Sequence, residues 1–264
     1  MAYIPILKSG VTPTLPAKPQ NAGKKDCYGA VFLGIDKYKV NNHWNLQGCV
    51  NDCHNVISTV RNKYNVDTVN DAKKLLDYEA TKANTLNALR WMVNTYRRGI
   101  FTFSCHGSQI PDESEPDRKA EVLITTDHRW EDPLIDDEIK AIVEQMDECV
   151  IIADCCHAEG ISRGGWIAKS VVCPEGVCMR LPRTVRNLAH VKELAACRSD
   201  QTASERYIDG KRQGVFTYTL CKILREHPGI ALQDLQARLR AEIDGQTPVI
   251  TGTGLLLEHA GISA

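Results

Sequence analysis

"CVIIADCCH", residues 149–157, decides the fold. Its apolar run is short and rich in β-branched side chains, so it reads as a strand buried on both faces. It ends in an acid, two adjacent cysteines and a histidine. "GIFTFSCHG" (99–107) has the same layout, an apolar strand that runs into Ser104, Cys105, His106 and Gly107. Further strands are expected at "YGAVFLGID" (28–36), "KKLLD" (73–77), "VKELAAC" (191–197) and "TPVITGTGLLLE" (247–258), and "AEVLITTD" (120–127) reads as an outlying hairpin. Between them lie helical periods. Val50, Cys53, Ile57, Val60 and Tyr64 give a helix over about 49–64. Thr81 is a candidate N-cap for a helix with Leu86, Leu89, Val93 and Tyr96 on its apolar face. Ile139, Ile142, Val143 and Met146 mark a helix after "LIDDE", and residues 214–226 and 231–243 mark two more. Strands alternating with helices point to an α/β fold with a mostly parallel central sheet. Residues 1–26, rich in Pro, Gly and Lys, read as an extended or disordered arm. Residues 158–190 have no sustained period and read as a functional loop.

Composition narrows the function. The chain has 264 residues and a formal net charge of −1, so no global field draws nucleic acid or an anionic membrane. Its apolar runs fall well short of the roughly 20 residues that a membrane span needs. Eleven cysteines, an odd number, without a basic and apolar leader argue for reduced thiols and a cytoplasmic location. Cys49-x3-Cys53-His54 and Cys173-x4-Cys178 have loosely zinc-like spacing, but form no paired set.

In parallel sheets the reactive groups gather beyond the carboxyl ends of the strands. His106 and the cysteines at 155 and 156 are thereby expected at one edge. A cysteine nucleophile needs a base within reach, and the two may be distant in sequence. Alternation along a strand puts Ser104 and His106 on one face and Cys105 on the other. The same parity groups Asp154 with Cys156 and turns Cys155 away. Cys156 is therefore the favoured nucleophile, and Cys105 and Cys155 read as small core fillers. The N–H groups of Gly107 and Cys156 are candidates for an oxyanion hole.

The chain resembles the metacaspases, caspase-like cysteine proteases that cleave after Arg or Lys. The resemblance rests on "GID" (34–36), "LQGCVND" (46–52), "FSCHGSQ" (103–109), "LIDDEI" (134–139), "DCCH" (154–157), "CRSDQTASE" (197–205), "GVFTYTL" (214–220) and "GQTP" (245–248), in family order across about residues 28–257. It implies a caspase-like three-layer α/β sandwich with His106 and Cys156 as the catalytic dyad. Asp52, Ser104 and Asp154 match positions that line the specificity pocket. A carboxylate beside Cys156 opposes thiolate formation, and makes sense if the substrate brings an Arg or Lys cation to it. The resemblance divides the chain into a large-subunit-like part (27–160), a linker (161–190) and a small-subunit-like part (191–264). Within the 158–190 loop Arg163, Lys169, Arg180, Arg183 and Arg186 are candidate self-cleavage points.

Two departures stand out. Cys156-His157-Ala158-Glu159-Gly160 replaces the usual Cys-His-Ser-Gly. The family's calcium site uses several aspartates. Asp136 and Asp137 match one pair, but Ala120 stands where another aspartate is expected, which counts against calcium control. No cofactor is otherwise required. The implied partners are protein or peptide substrates with Arg or Lys before the scissile bond, with an activator protein left open. A catalytically silent caspase-like interaction module, supported by the altered loop, is the alternative.

Overall fold

A computed structural model describes residues 23–113, 118–156, 167–179 and 188–257. Six strands form the central sheet: β1 (Lys25–Gly34), β2 (Ala72–Leu76), β3 (Tyr96–Ser104), β7 (Glu148–Asp154), β9 (Val191–Ala195) and β12 (Val249–Thr251), in the order β12-β9-β7-β3-β1-β2. The first five run parallel, and β12 closes the edge antiparallel to β9. The mostly parallel sheet expected from the buried apolar runs is therefore present. The sheet begins at Lys25, so the last two residues expected in the arm already belong to it, and residues 1–22 lie outside the described residues.

Strand parity sorts the core into two layers. Val31, Leu33, Phe101, Phe103, Ile151 and Ala153 pack on one face, against α2 (Lys82–Thr95) and α3 (Asp136–Val143). Ala30, Phe32, Ile100, Val150 and Ile152 pack on the other, against α1 (Cys49–Tyr64), α4 (Val215–Glu226) and α5 (Leu232–Glu242). Each of the Val, Leu, Ile and Phe side chains among them contributes about 1.5–3 kcal/mol by leaving water, which holds the helices on both faces. Thr81 caps α2, its hydroxyl accepting the Asn84 N–H at 3.1 Å.

Two small sheets flank the carboxyl edge. β4 (Gly107–Pro111), β5 (Lys119–Leu123) and β6 (Leu134–Ile135) form one. β8 (Ile167–Ala168), β10 (Ser204–Ile208) and β11 (Lys211–Gly214) form the other. The hairpin expected at 120–127 is thus one strand of a three-stranded sheet. The β10–β11 hairpin has no long apolar run to announce it. β8 lies in the stretch read as irregular, because two residues carry no detectable period.

His128 lies just beyond β5, buried between Trp44 and Trp130, with ring centroids at 6.1 and 4.4 Å. Among the described residues neither ring nitrogen has a hydrogen-bond partner. Burial pushes its pKa down from 6.5 to about 4. A depressed histidine gives stability that is present above its unfolded pKa and lost as pH falls through the folded one. Acidification from pH 7 to 4.5 is therefore expected to cost wild type about 2–3 kcal/mol relative to His128→Phe, measured by urea unfolding of both. Equal pH dependence in the two proteins would remove the buried neutral imidazole from the account.

Candidate active site

The carboxyl ends of β3 and β7 are adjacent, with Ser104 in register with Asp154. Beyond them Cys105 and Cys155 pack with the α2/α3 layer, and Cys156 packs with the α1/α4/α5 layer. The pleat's parity thus persists at Cys105, Cys155 and Cys156, whereas the His106 ring lies against Tyr38 and the Trp44 carbonyl, residues of the α2/α3 layer.

His106 is buried, and its ring is fixed from three directions. Nε2 lies 2.8 Å from the Trp44 carbonyl, which assigns the proton to Nε2. The backbone N–H of His106 donates to the Tyr38 hydroxyl at 2.9 Å, and the Tyr38 ring lies 5.3 Å from the imidazole. Among the described residues Nδ1 is buried with no hydrogen bond of ordinary geometry, and the Lys169 carbonyl lies near enough to pull the imidazole pKa upward. Burial pushes the His106 pKa down to about 4, against a smaller upward pull from the Trp44 carbonyl. Burial also pushes the Cys156 thiol up to about 12, against the Ser170 hydroxyl bond and the nearby Lys169 ammonium, which favour its anion. The thiol lies 3.8 Å from the Ala203 carbonyl. Both groups are neutral in this arrangement.

Asp52, Ser104 and Asp154 meet in one buried pocket, and Lys169 fills it. The Lys169 ammonium lies 2.8 Å from Asp52 Oδ2, 2.9 Å from Asp154 Oδ1 and 2.9 Å from Ser104 Oγ, with its side chain 0% exposed. The Ser104 hydroxyl donates to Asp52 Oδ2 at 2.8 Å. The Thr217 hydroxyl and N–H donate to Asp154 Oδ2 at 2.6 and 3.1 Å. The Gly214 N–H donates to Asp52 Oδ1 at 2.8 Å. The pocket holds two carboxylates against one ammonium. Burial pushes the Asp52 pKa up to about 6, and the two carboxylates hold Lys169 firmly charged.

The backbone of Lys169 is held as closely as its side chain. Its carbonyl accepts the N–H groups of Gly107 at 3.1 Å and Cys156 at 3.3 Å, and its own N–H donates to the Ala203 carbonyl at 3.0 Å. The Val171 N–H donates to the Gly107 carbonyl at 3.0 Å. Residues 167–171 thus lie as an added strand between β10 and β4.

Of the other expected positions, Asp136 and Asp137 sit in the first turn of α3, where negative charge complements the helix dipole. Asp136 pairs with Lys140 at 2.6 Å. Arg163, Arg180, Arg183 and Arg186 lie outside the described residues. The zinc-like spacings do not converge. Among the described residues the candidate metal-ligand group is Asp36, Cys49 and Glu205. Both of its carboxylates already accept backbone N–H groups from Gln47 to Val50, at the start of α1.

The sequence reading missed Tyr38, Trp44, Thr217 and Gly214. Gly214 stood inside a quoted motif without a role. A Cβ there would collide with Asp154, Lys169 and Asp52, so only glycine closes this pocket wall. Tyr38 and Trp44 act through a hydroxyl and a backbone carbonyl, which leave no periodic signal.

A family model for the metacaspase, peptidase C14 domain matches residues 29–162. The chain belongs to the metacaspase family. It is 24% identical to metacaspase-1B of Aspergillus fumigatus over 82% of this chain and 66% of that protein. It is 31% identical to metacaspase-1 of Plasmodium falciparum over 56% of this chain, and spans only 26% of that relative's length. It is 23% identical to metacaspase-1 of Saccharomyces cerevisiae over 89% of this chain and 68% of that protein. The fold is shared with the crystal structure of protein GSU0716 from Geobacter sulfurreducens, at a TM-score of 0.66 and 20% identity, covering 86% of this metacaspase and 94% of that chain. No described helix is long and apolar enough to cross a membrane.

Removing the buried cation leaves two carboxylates facing each other without compensation, a change that costs about 3–5 kcal/mol in comparable sites. Lys169→Met is expected to lose that much in urea unfolding, and Lys169→Met with Asp52→Asn to regain part of it. Additive losses in the double variant would show that the pair is not coupled.

Proposed function

We propose that the protein is a cysteine endopeptidase that cleaves after Lys or Arg, and that Lys169–Ser170 is its own first substrate bond. The observation that carries this reading is the double hold on Lys169. Its ammonium lies between Asp52, Asp154 and Ser104 while its carbonyl accepts from Gly107 and Cys156. A structural lysine needs the first set of contacts but not the second. A residue about to be cleaved needs both, because the developing oxyanion must meet preorganised N–H donors.

In this reading Cys156 is the nucleophile and His106 the base and acid. The thiol proton passes to His106 Nδ1, and the sulfur attacks the Lys169 carbonyl carbon. The tetrahedral oxyanion rests on the N–H groups of Gly107 and Cys156. Collapse breaks the Lys169–Ser170 bond, and His106 returns the proton to the Ser170 amine. Water then releases the thioester and regenerates the thiol. Cleavage falls within the 161–190 linker and frees the pocket for the Arg or Lys of another polypeptide. Before cleavage the neutral Cys156 and His106 and the filled pocket keep the enzyme latent. The silent-module alternative has no observation of comparable weight, since the altered Ala158-Glu159-Gly160 segment lies outside the described residues.

Arg- and Lys-terminated peptide reporters are expected to be cleaved and Asp-terminated ones not. Intact-mass analysis should find a break after Lys169. Cys156→Ala should lose both activities by on the order of 10³-fold or more, and His106→Ala should fall to a similar level, because the two act as a unit. Lys169→Gln should stay a single chain. Asp preference, or turnover surviving Cys156→Ala, sinks the reading. Gly214→Ala should lower kcat/KM for the basic reporters by on the order of 10²-fold, by displacing the pocket carboxylates, and should also lower stability in urea unfolding, because the added Cβ meets the buried ion cluster.

A further inference from the structure

On the opposite face of β7 from Cys156, a cavity of about 210 Å³ is lined by Phe103, Ala153 and Cys155 at its floor. Three carboxylates border it from three separate elements: Glu121 on β5, Asp136 on α3 and Glu193 on β9. The family resemblance implies a calcium ion held partly by Asp136 and Asp137, but the residues present do not fit one. Lys140, one helical turn after Asp136, also lines this cavity, with its Nζ 2.6 Å from Asp136 Oδ2 and its side chain only 28% exposed. Its ammonium thus sits against Asp136 in a cavity that Glu121 and Glu193 also line.

We infer that Lys140 is a tethered cation that takes the place of a divalent ion in this acidic cavity, so that the peptidase edge of the sheet needs no calcium. Calcium takes six to eight oxygen ligands at about 2.3–2.6 Å. An ammonium has three donors and no lone pair to offer. A divalent ion bound to Asp136 would have to sit beside that fixed positive charge. Lys140 instead supplies the counter-charge permanently, by an i,i+4 pair within one helix. Its position matters because Ala153 and Cys155 form the floor of this cavity, while Asp154 and Cys156 of the same segment form the candidate site. Without Lys140, Asp136 would lose its ion-pair partner on the far side of β7 from the candidate site.

This inference extends the proposed activity but does not need turnover for its test. The full chain carrying Cys156→Ala, which keeps it uncleaved, is titrated with calcium chloride by calorimetry and by thermal unfolding against a chelator. The chain with Lys140 is expected to give no binding heat and a Tm unchanged within about 1 °C. Adding Lys140→Met should create calcium binding and raise Tm by roughly 5 °C at a hundredfold excess over Kd. Asp136→Asn on top of Lys140→Met should abolish that rise. A calcium-dependent Tm increase with Lys140 in place overturns the inference. So does a folded Lys140→Met chain that ignores calcium. Should Lys140→Met fail to fold, the titration of the Lys140 chain decides alone. Loss of reporter cleavage with these binding results intact would count against the proposed activity and leave the tethered cation standing.

Discussion

The arrangement of this edge depends on one ion cluster, the Lys169 ammonium between Asp52 and Asp154. Two carboxylates so close together and 1% exposed would be prohibitively unfavourable without it. Their positions come from distant parts of the chain, the first turn of α1 and the end of β7. The cation therefore does more than fill a hole. It pulls residues 167–171 into the gap between β4 and β10, and so joins both small sheets to the central one. Ser104, Thr217 and Gly214 direct their donors at the same carboxylates, which leaves no room for an unplanned partner.

Such a cluster is rarely a gain for stability alone, since well-packed apolar residues of similar size often serve as well. Its retention is easier to understand if the pocket must later accept a different cation. The fixed backbone around Lys169 agrees with that reading. An added strand gives a substrate main-chain hydrogen bonds independent of its sequence, while the pocket reads one side chain. The segment that uses both features here is covalently part of the protein. Under the proposed function its effective concentration at the site is accordingly high, and it would exclude other polypeptides until released or cut.

Much of this frame was legible from sequence. β1, β3 and β7 announce themselves because strands buried on both faces must be apolar throughout. α1 and α4 do so because a surface helix must keep one apolar stripe. Parity along β7 separates Cys155 from Cys156, and the fold places those two thiols in different core layers. What sequence could not supply was convergence. Lys169 was one of five basic residues in an unpatterned loop, and only the three-dimensional path of that loop sets it apart. β8 and the β10–β11 hairpin were missed because their pairing comes from neighbours rather than from their own composition. β12 was expected over twelve residues and spans only Val249–Thr251, because the apolar tail after Gly252 turns away to cover α5 instead of extending the sheet.

The two faces of the β7 edge solve the same electrostatic problem in opposite ways. Both gather carboxylates at the end of a parallel sheet, and both balance them with a lysine. On the Cys156 face the cation belongs to the 167–171 segment, and under the proposed self-cleavage breaking one peptide bond next to it would uncouple the charge from the fold. On the Cys155 face the cation belongs to the same helix as its principal carboxylate, and no backbone cleavage in the linker can remove it. A single segment, Ala153–Cys156, separates the two. A charge that can be exchanged on one side is useful only if the strand carrying it stays in place during the exchange. In the inferred role of Lys140, its pair with Asp136 would provide that constancy without drawing on an ion whose concentration could vary.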